Sequence, residues 1–264
     1  MKKFYSLALL LPLLLSACGD KQDAQLSQPQ ADQVKEIVQK TLMENPKIIL
    51  DALEAYQKQT RAEAAENTKK AIATRANDIY NNPSSPVMGK PDGNITVVEF
   101  FDYNCGYCKA VFHPIRDAVL QDGNIKFVFK EYPILGESSV YASKAALAAN
   151  KQGKYVEFHT ALMDFRGNKD EAAITQIATT LGLNVAQLKA DMNSPEIQQI
   201  IDADRNLGMA LGVNGTPGFI IGDKLYPGAL DADSFKKTVQ DFRQAKAQPT
   251  APAGNAAPTA PAAQ

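Results

Sequence analysis

The segment Phe100–Lys109, FFDYNCGYCK, sets two cysteines three positions apart directly after an apolar, aromatic run. A strand that delivers Cys-x-x-Cys to the start of a helix places the first sulfur among unpartnered backbone N–H groups, where the helix dipole also favours negative charge. Cys105 is therefore expected to be the thiolate nucleophile, with a depressed pKa, and Cys108 the inner, resolving thiol. One helical turn apart, their Cα atoms would be separated by about 5 Å, within the reach of a disulfide. Two other readings compete with a redox pair: half of a metal site, and an inert staple. A zinc site needs two more ligands, and the two histidines, His113 and His159, come with no second cysteine pair. Neither metal nor cofactor is expected. A Cys108–His113 hydrolase pair fails on geometry, because an offset of five points the two to different helix faces.

The chain holds only three cysteines, an odd number that does not make a disulfide framework. Cys18 belongs to a different feature. Lys2 and Lys3 precede an apolar run from Phe4 to Leu15, followed by the small residues of LSAC. That run is too short to span a bilayer and right for a signal-peptide core. LSAC resembles the lipobox of bacterial lipoproteins, which implies a signal peptide over 1–17 and lipidation of Cys18; the alternative is an ordinary signal in which Cys18 is incidental. Export would place the other two thiols in an oxidising compartment. Gly19 after Cys18 points, by the same resemblance, to the outer membrane. The formal charge of −1 over 264 residues gives no electrostatic reason to expect nucleic acid. The tail, AQPTAPAGNAAPTAPAAQ over 247–264, has no large apolar residue with which to bury a core, so it reads as disordered.

Between signal and tail the chain falls into parts. Residues 18–32 read as a polar tether. Over 33–80, Val34, Ile37, Val38 and Leu42 recur at helical spacing, Asn45-Pro46 ends one helix and opens another, and Ile48, Ile49, Leu53 and Tyr56 mark a second apolar face. Such a helical arm has too little core of its own. It needs a partner surface, and the reading favours a second copy of the same arm over the body or an inert spacer. Residues 81–94 are Pro, Gly, Ser and Asn in quick succession and read as a linker. The body, 95–246, reads as α/β: a strand over 95–101, a helix that Pro114 should kink, and a strand over 125–132. A large helical insertion follows at about 137–212, then a hairpin with Gly222-Asp223 at its turn and a closing helix.

With NGTPGFII at 214–221, where Thr216-Pro217 stands just before a strand, the order of elements resembles the thioredoxin fold and, within it, the DsbA-like exported thiol:disulfide oxidoreductases. The resemblance covers the body and extends to the arm, through the Com-type outer-membrane immunoreactive lipoproteins and the oligomeric suppressor-of-copper-sensitivity proteins. It implies that Thr216 and Pro217 form a cis-proline loop shaping the groove where substrate backbone docks, with Gly106 and Tyr107 beside it. It assigns Glu99 to a buried carboxylate that exchanges a proton with Cys108, and Lys130 to that carboxylate's basic neighbour. The implied partners are unfolded or misoxidised exported proteins, a DsbB-like or DsbD-like membrane redox protein, and a second copy bound through the arm, in the periplasm. Two residues depart from the oxidase pattern. Gly106-Tyr107 is the dipeptide of DsbC-type isomerases rather than the Pro-His of DsbA oxidases, and Thr216 replaces their Val. Without a histidine between the cysteines the pair should be less oxidising and able to return electrons, as isomerisation requires. Two further readings stand: a dedicated oxidase recharged by a membrane partner, and a structural or metal-handling lipoprotein without turnover.

Overall fold

The computed structural model describes residues 26–247. The signal peptide, Cys18, the first part of the tether and nearly all of the Ala/Pro tail lie outside the described residues. The chain divides into two compact units, one ending at Gln59 and the other beginning at Thr60.

The first unit contains α1 (Gln28–Glu44) and the opening turns of α2 (Lys47–Thr74). α1 begins inside the stretch expected to be tether. Ser27 supplies an extended N-cap whose backbone N–H donates to Gln30 Oε1 at 2.9 Å, and a proline occupies the first turn, so the start is locally encoded. Asn45 ends α1, and Pro46, with no N–H to continue it, opens α2. No residue of α1 is buried, and Ile37 and Leu50 keep 63% and 65% of their surface exposed.

The second unit continues α2 and adds α3 (Ala76–Tyr80), β1 (Val87–Gly89), β2 (Ile95–Phe101), α4 (Gly106–Asp122) and β3 (Ile125–Glu131). The helical insertion is α5 (Glu137–Lys151), α6 (Tyr155–Asp164), α7 (Glu171–Thr180), α8 (Val185–Met192) and α9 (Pro195–Ala210). β4 (Gly218–Ile221), β5 (Lys224–Pro227) and α10 (Ala232–Ala247) complete it. The sheet order is β1-β3-β2-β4-β5, with β2 and β3 parallel and the other pairs antiparallel. α4 runs unbroken through Pro114.

Strand alternation splits the core into two layers. Val97, Phe101, Phe127, Phe129, Phe219 and Ile221 face one way, against α4, α10 and the insertion. Val98, Phe100, Val128 and Ile220 face the other, against Leu207 and Leu211 from the end of α9 and, unexpectedly, Ile72 of α2 and Ile79 of α3. The arm therefore does not run separately to residue 80: its last turns roof the second face of the sheet. Ile72 and Ile79 stand seven apart in an otherwise polar stretch, a spacing too sparse to signal a buried face, yet full burial of each contributes about 1.5–3 kcal/mol. β1, three residues within the expected linker, was hidden by its Pro and Gly neighbours. At the β4–β5 turn, Gly222 has φ +65°, and a Cβ there would run into the Phe242 ring, so only glycine fits.

Candidate active site

Cys105 is the N-cap of α4, with extended backbone, and its sulfur accepts the Cys108 N–H at 3.4 Å. The two cysteines are free thiols. Across from them, the Thr216–Pro217 peptide is cis, and the Cys105 thiol donates to the Thr216 carbonyl at 3.2 Å. The Cys105 thiol is lowered to about 5, first by the Cys108 thiol, which donates to its thiolate, then by the Thr216 side chain and the N–H groups of Cys108 and Tyr107, against the opposing effect of burial. Cys108 is wholly buried and its thiol is raised, by burial first, then by its bond to Cys105 and by the charge of Glu99. One sulfur is thus favoured as a thiolate and the other as a thiol, with 6% of the Cys105 surface and none of the Cys108 surface exposed. Gly106 has open space around its Cα, and Tyr107 is 72% exposed, so the dipeptide between the cysteines presents itself outward.

Glu99 lies on β2 facing α4, between Phe129 of β3 and Phe219 of β4, its direct cross-strand neighbours. Burial between those rings, and secondarily the charge of Cys105, raise its carboxyl to about 8, which lets it hold a proton at neutral pH. Lys130 is not its partner. It is paired with Phe100, one position out of phase, and points to the opposite face of the sheet. There its ammonium reaches Asp204 Oδ1 at 3.0 Å, Ser85 Oγ at 2.8 Å and the Asp78 carbonyl at 2.8 Å. A one-residue phase difference decides which side of a sheet a charge occupies.

Three residues with no assigned role hold the cysteine loop. Asp102, fully buried, accepts the N–H groups of Asn104, Ile134 and Leu135 and the Ser139 hydroxyl, at 2.7–2.9 Å. Asn104 donates to Ser138 and Ser139 and accepts from the buried Lys169 at 2.8 Å. The segment before Cys105 is thereby pinned to the start of the insertion. Asp102 and Asn104 stand within the segment that reads as a strand end, two and four residues past Glu99's neighbour Phe100, and their spacing fits an Asx turn. Lys169 has no local signal. His159, on α6, is fully buried among Phe101, Phe112, Phe129 and Tyr155, meets the Tyr103 hydroxyl at 3.0 Å, and is lowered to about 3 by burial. His113 pairs with Asp164, away from Cys108. Among the described residues no group of side chains could hold a metal ion.

The body matches the DSBA-like thioredoxin domain over residues 96–240. The chain belongs to that family. Residues 30–63 match the copper resistance protein ScsC N-terminal domain. A thioredoxin-like oxidoreductase of Silicibacter pomeroyi is 43% identical, covering 64% of this chain and 97% of that one, with a TM-score of 0.62. Proteus mirabilis ScsC, in a transitional conformation, is 30% identical over 85% of this chain and 99% of its own, with a TM-score of 0.61. Disulfide bond formation protein D of Bacillus subtilis is 26% identical over 167 residues, 59% of this chain and 75% of that protein. This member of the DSBA-like family is a protein thiol:disulfide oxidoreductase with a thioredoxin fold, a helical insertion and a preceding helical segment.

Proposed function

We propose that this protein forms and isomerises disulfides in exported proteins, with Cys105 as nucleophile, Cys108 as resolving thiol and Glu99 as the buried proton acceptor. The contrast between a Cys105 thiol lowered to about 5 and a buried, raised Cys108 carries the reading. In oxidation, a substrate thiolate attacks Cys105 of the enzyme disulfide; a bond between substrate and Cys105 forms, the Cys105–Cys108 bond breaks, and Cys108 leaves as a thiolate that takes the Glu99 proton. A second substrate thiolate then displaces Cys105, leaving the substrate disulfide and the enzyme dithiol. In isomerisation the Cys105 thiolate attacks a wrong substrate disulfide and is released when another substrate thiol attacks the mixed disulfide, so no net electrons are exchanged.

A Cys105 value of about 5 falls between the thioredoxin and DsbA values of about 7 and about 3.5, which fits a pair that both accepts and returns electrons. The exposed Tyr107 and the cis-proline loop of Thr216 and Pro217 form the docking surface for substrate backbone. Self-association through the arm, as a homodimer, is supported by the uncovered apolar residues of α1 and of the start of α2. No helix among the described residues is long and apolar enough to cross a membrane, and the proposal places the protein in the periplasm, anchored by lipid on Cys18 to the outer membrane. A dedicated oxidase recharged by a DsbB-like partner is the second reading, favoured by the name of the Bacillus relative; a DsbD-like partner would instead keep an isomerase reduced. Recovery of scrambled, wrongly cross-linked ribonuclease in a glutathione buffer separates the two. Recovery well above the buffer alone establishes isomerisation, and rapid oxidation of reduced ribonuclease without that recovery establishes the oxidase.

A further inference from the structure

A second carboxyl is buried in the layer that holds Glu99. Glu131, the last residue of β3, has none of its surface exposed. The parallel register sets Glu99 opposite Phe129 and Phe101 opposite Glu131, so the two glutamates share one face of the sheet. They stand on a diagonal across neighbouring strands, about 8 Å apart at Cα for the usual strand spacing and rise.

The surroundings of Glu131 give it donors and no cation. Its Oε1 accepts the Tyr155 hydroxyl at 2.6 Å and the Tyr103 hydroxyl at 3.2 Å. The Tyr103 oxygen also meets Nδ1 of His159 at 3.0 Å, and that ring, lowered to about 3 by burial, is neutral. From α9 comes a like charge: Asp204, whose Oδ2 accepts the Glu131 N–H at 3.1 Å. Lys130, next to Glu131 in sequence, is engaged with Asp204 on the opposite face. Glu131 Oε2 has no hydrogen-bond partner among the described residues, and neither has the Ser143 hydroxyl, which reaches this carboxyl from α5. A proton on Oε2 removes the buried charge and supplies a donor for the Ser143 oxygen. Burial accordingly pushes the Glu131 carboxyl up to about 8.

Tyr103 connects this carboxyl to the cysteines. Its hydroxyl feels the charges of both Glu131 and Glu99, and it lies two residues before Cys105 in the loop that Asp102 and Asn104 pin. Glu99 in turn acts on Cys108. Two carboxyls so placed in a low-dielectric interior resist ionising together, and their protons leave in steps that belong to the pair.

We propose that Glu131 is a positioning residue for the proton of the exchange reaction: held protonated behind Tyr103, it forms with Glu99 a coupled pair that carries at most one negative charge near neutral pH. When Cys108 leaves as a thiolate it takes the Glu99 proton, Glu131 keeps its own, and Glu99 recovers the proton when Cys108 is oxidised again. Once Glu131 ionises, Glu99 holds its proton more tightly. The inference rests on proton exchange between Glu99 and Cys108 and adds the group that sets the pH range in which it operates.

The test reads carboxyl protonation in the full-length, reduced protein. At pH 7 the infrared spectrum should show the carbonyl stretch of protonated carboxylic acid from both glutamates. Glu99→Gln and Glu131→Gln should each lose one band and the double variant both, since Asp204 is paired with Lys130. The band left in either single variant should vanish in one step as pH rises through about 8. The wild type should need two steps, separated by about one pH unit or more. Tyr103→Phe, which removes a donor to the Glu131 carboxylate, should raise the Glu131 step. The pH profile of disulfide exchange should follow the infrared: Glu131→Gln, whose amide oxygen still accepts both tyrosyl hydroxyls, should complete its transition about one unit lower than the wild type. No protonated-acid band in Glu99→Gln at pH 7 would overturn the proposal. So would a wild type that loses both bands in one step, or an exchange profile unchanged in Glu131→Gln, which would leave Glu131 a packing residue. If Glu99→Gln itself leaves the exchange profile unchanged, the assignment of Glu99 in the reaction fails, and the wild-type infrared steps still decide whether the two carboxyls are coupled.

Discussion

The Cys105 sulfur and the Thr216 carbonyl oxygen lie 3.2 Å apart, joining the N-cap of α4 to the cis-proline loop across 111 residues of sequence. The Thr216 side chain is among the groups that hold the Cys105 thiol down to about 5. Thr216→Val keeps the shape and removes the hydroxyl, so the midpoint of the pH dependence of iodoacetamide alkylation should rise above about 5 while staying below the ordinary thiol value. An unchanged midpoint would show that the helix terminus and Cys108 act alone.

The same shift has a stability consequence. The folded Cys105 value lies below the unfolded one, so the thiolate stabilises the reduced fold fully above the ordinary thiol range, less as pH falls, and not at all below about 5. Glu99 acts in the opposite sense. Its carboxyl is raised to about 8, so the folded state holds the extra proton between the ordinary carboxylate range and about pH 8, and stability falls as pH rises through that window. Glu99→Gln should match the wild type near pH 4 in urea unfolding and exceed it progressively up to about pH 8. Turnover should drop roughly a hundredfold, with loss of the rate's pH dependence near 8, because the group proposed to exchange a proton with Cys108 is gone.

Lys130 and Asp204 form an ion pair in which both side chains are buried. Removing one partner strands the other charge, so Lys130→Met should cost about 3–5 kcal/mol in urea unfolding, and the double change Lys130→Met with Asp204→Leu should recover most of it. The midpoint of Cys105 alkylation should not move in the double variant, since the pair sits on the far face of the sheet from Glu99. A displaced midpoint would return Lys130 to the active site.

Self-association should be removable without touching the body. Ile37→Glu with Ile49→Glu places charges on the uncovered apolar faces of α1 and α2, and light scattering should then give the mass of a single chain. Unchanged mass would remove the arm from the interface. Truncation is the riskier route, because removing the whole stretch to Tyr80 would strip Ile72 and Ile79 from the second face of the sheet.

What the sequence made legible was whatever depends on local pattern. The strand–Cys-x-x-Cys–helix arrangement follows from an apolar run meeting a helix start, and the β4–β5 hairpin from a glycine that must take positive φ. The cis Thr216–Pro217 bond was reached only through family resemblance. The unread parts are those in which one residue decides. Whether Lys130 faces Glu99 or Asp204 turns on a single step of register between neighbouring strands. Ile72 and Ile79 look like isolated apolar residues until the sheet they cover exists. Beyond its local bond to Asn104, Asp102 is satisfied by partners about thirty residues away, and Lys169 by one sixty-five away, a distance no local pattern spans.

The most direct measurement is to mix the Cys108→Ser protein with an oxidised substrate protein and identify any covalent adduct by mass spectrometry. With the resolving thiol removed, a mixed disulfide should accumulate on Cys105, and the Cys105→Ser protein should form none. Absence of an adduct on Cys105, or an equal adduct on Cys108 in the Cys105→Ser protein, would contradict the division of roles between the two sulfurs.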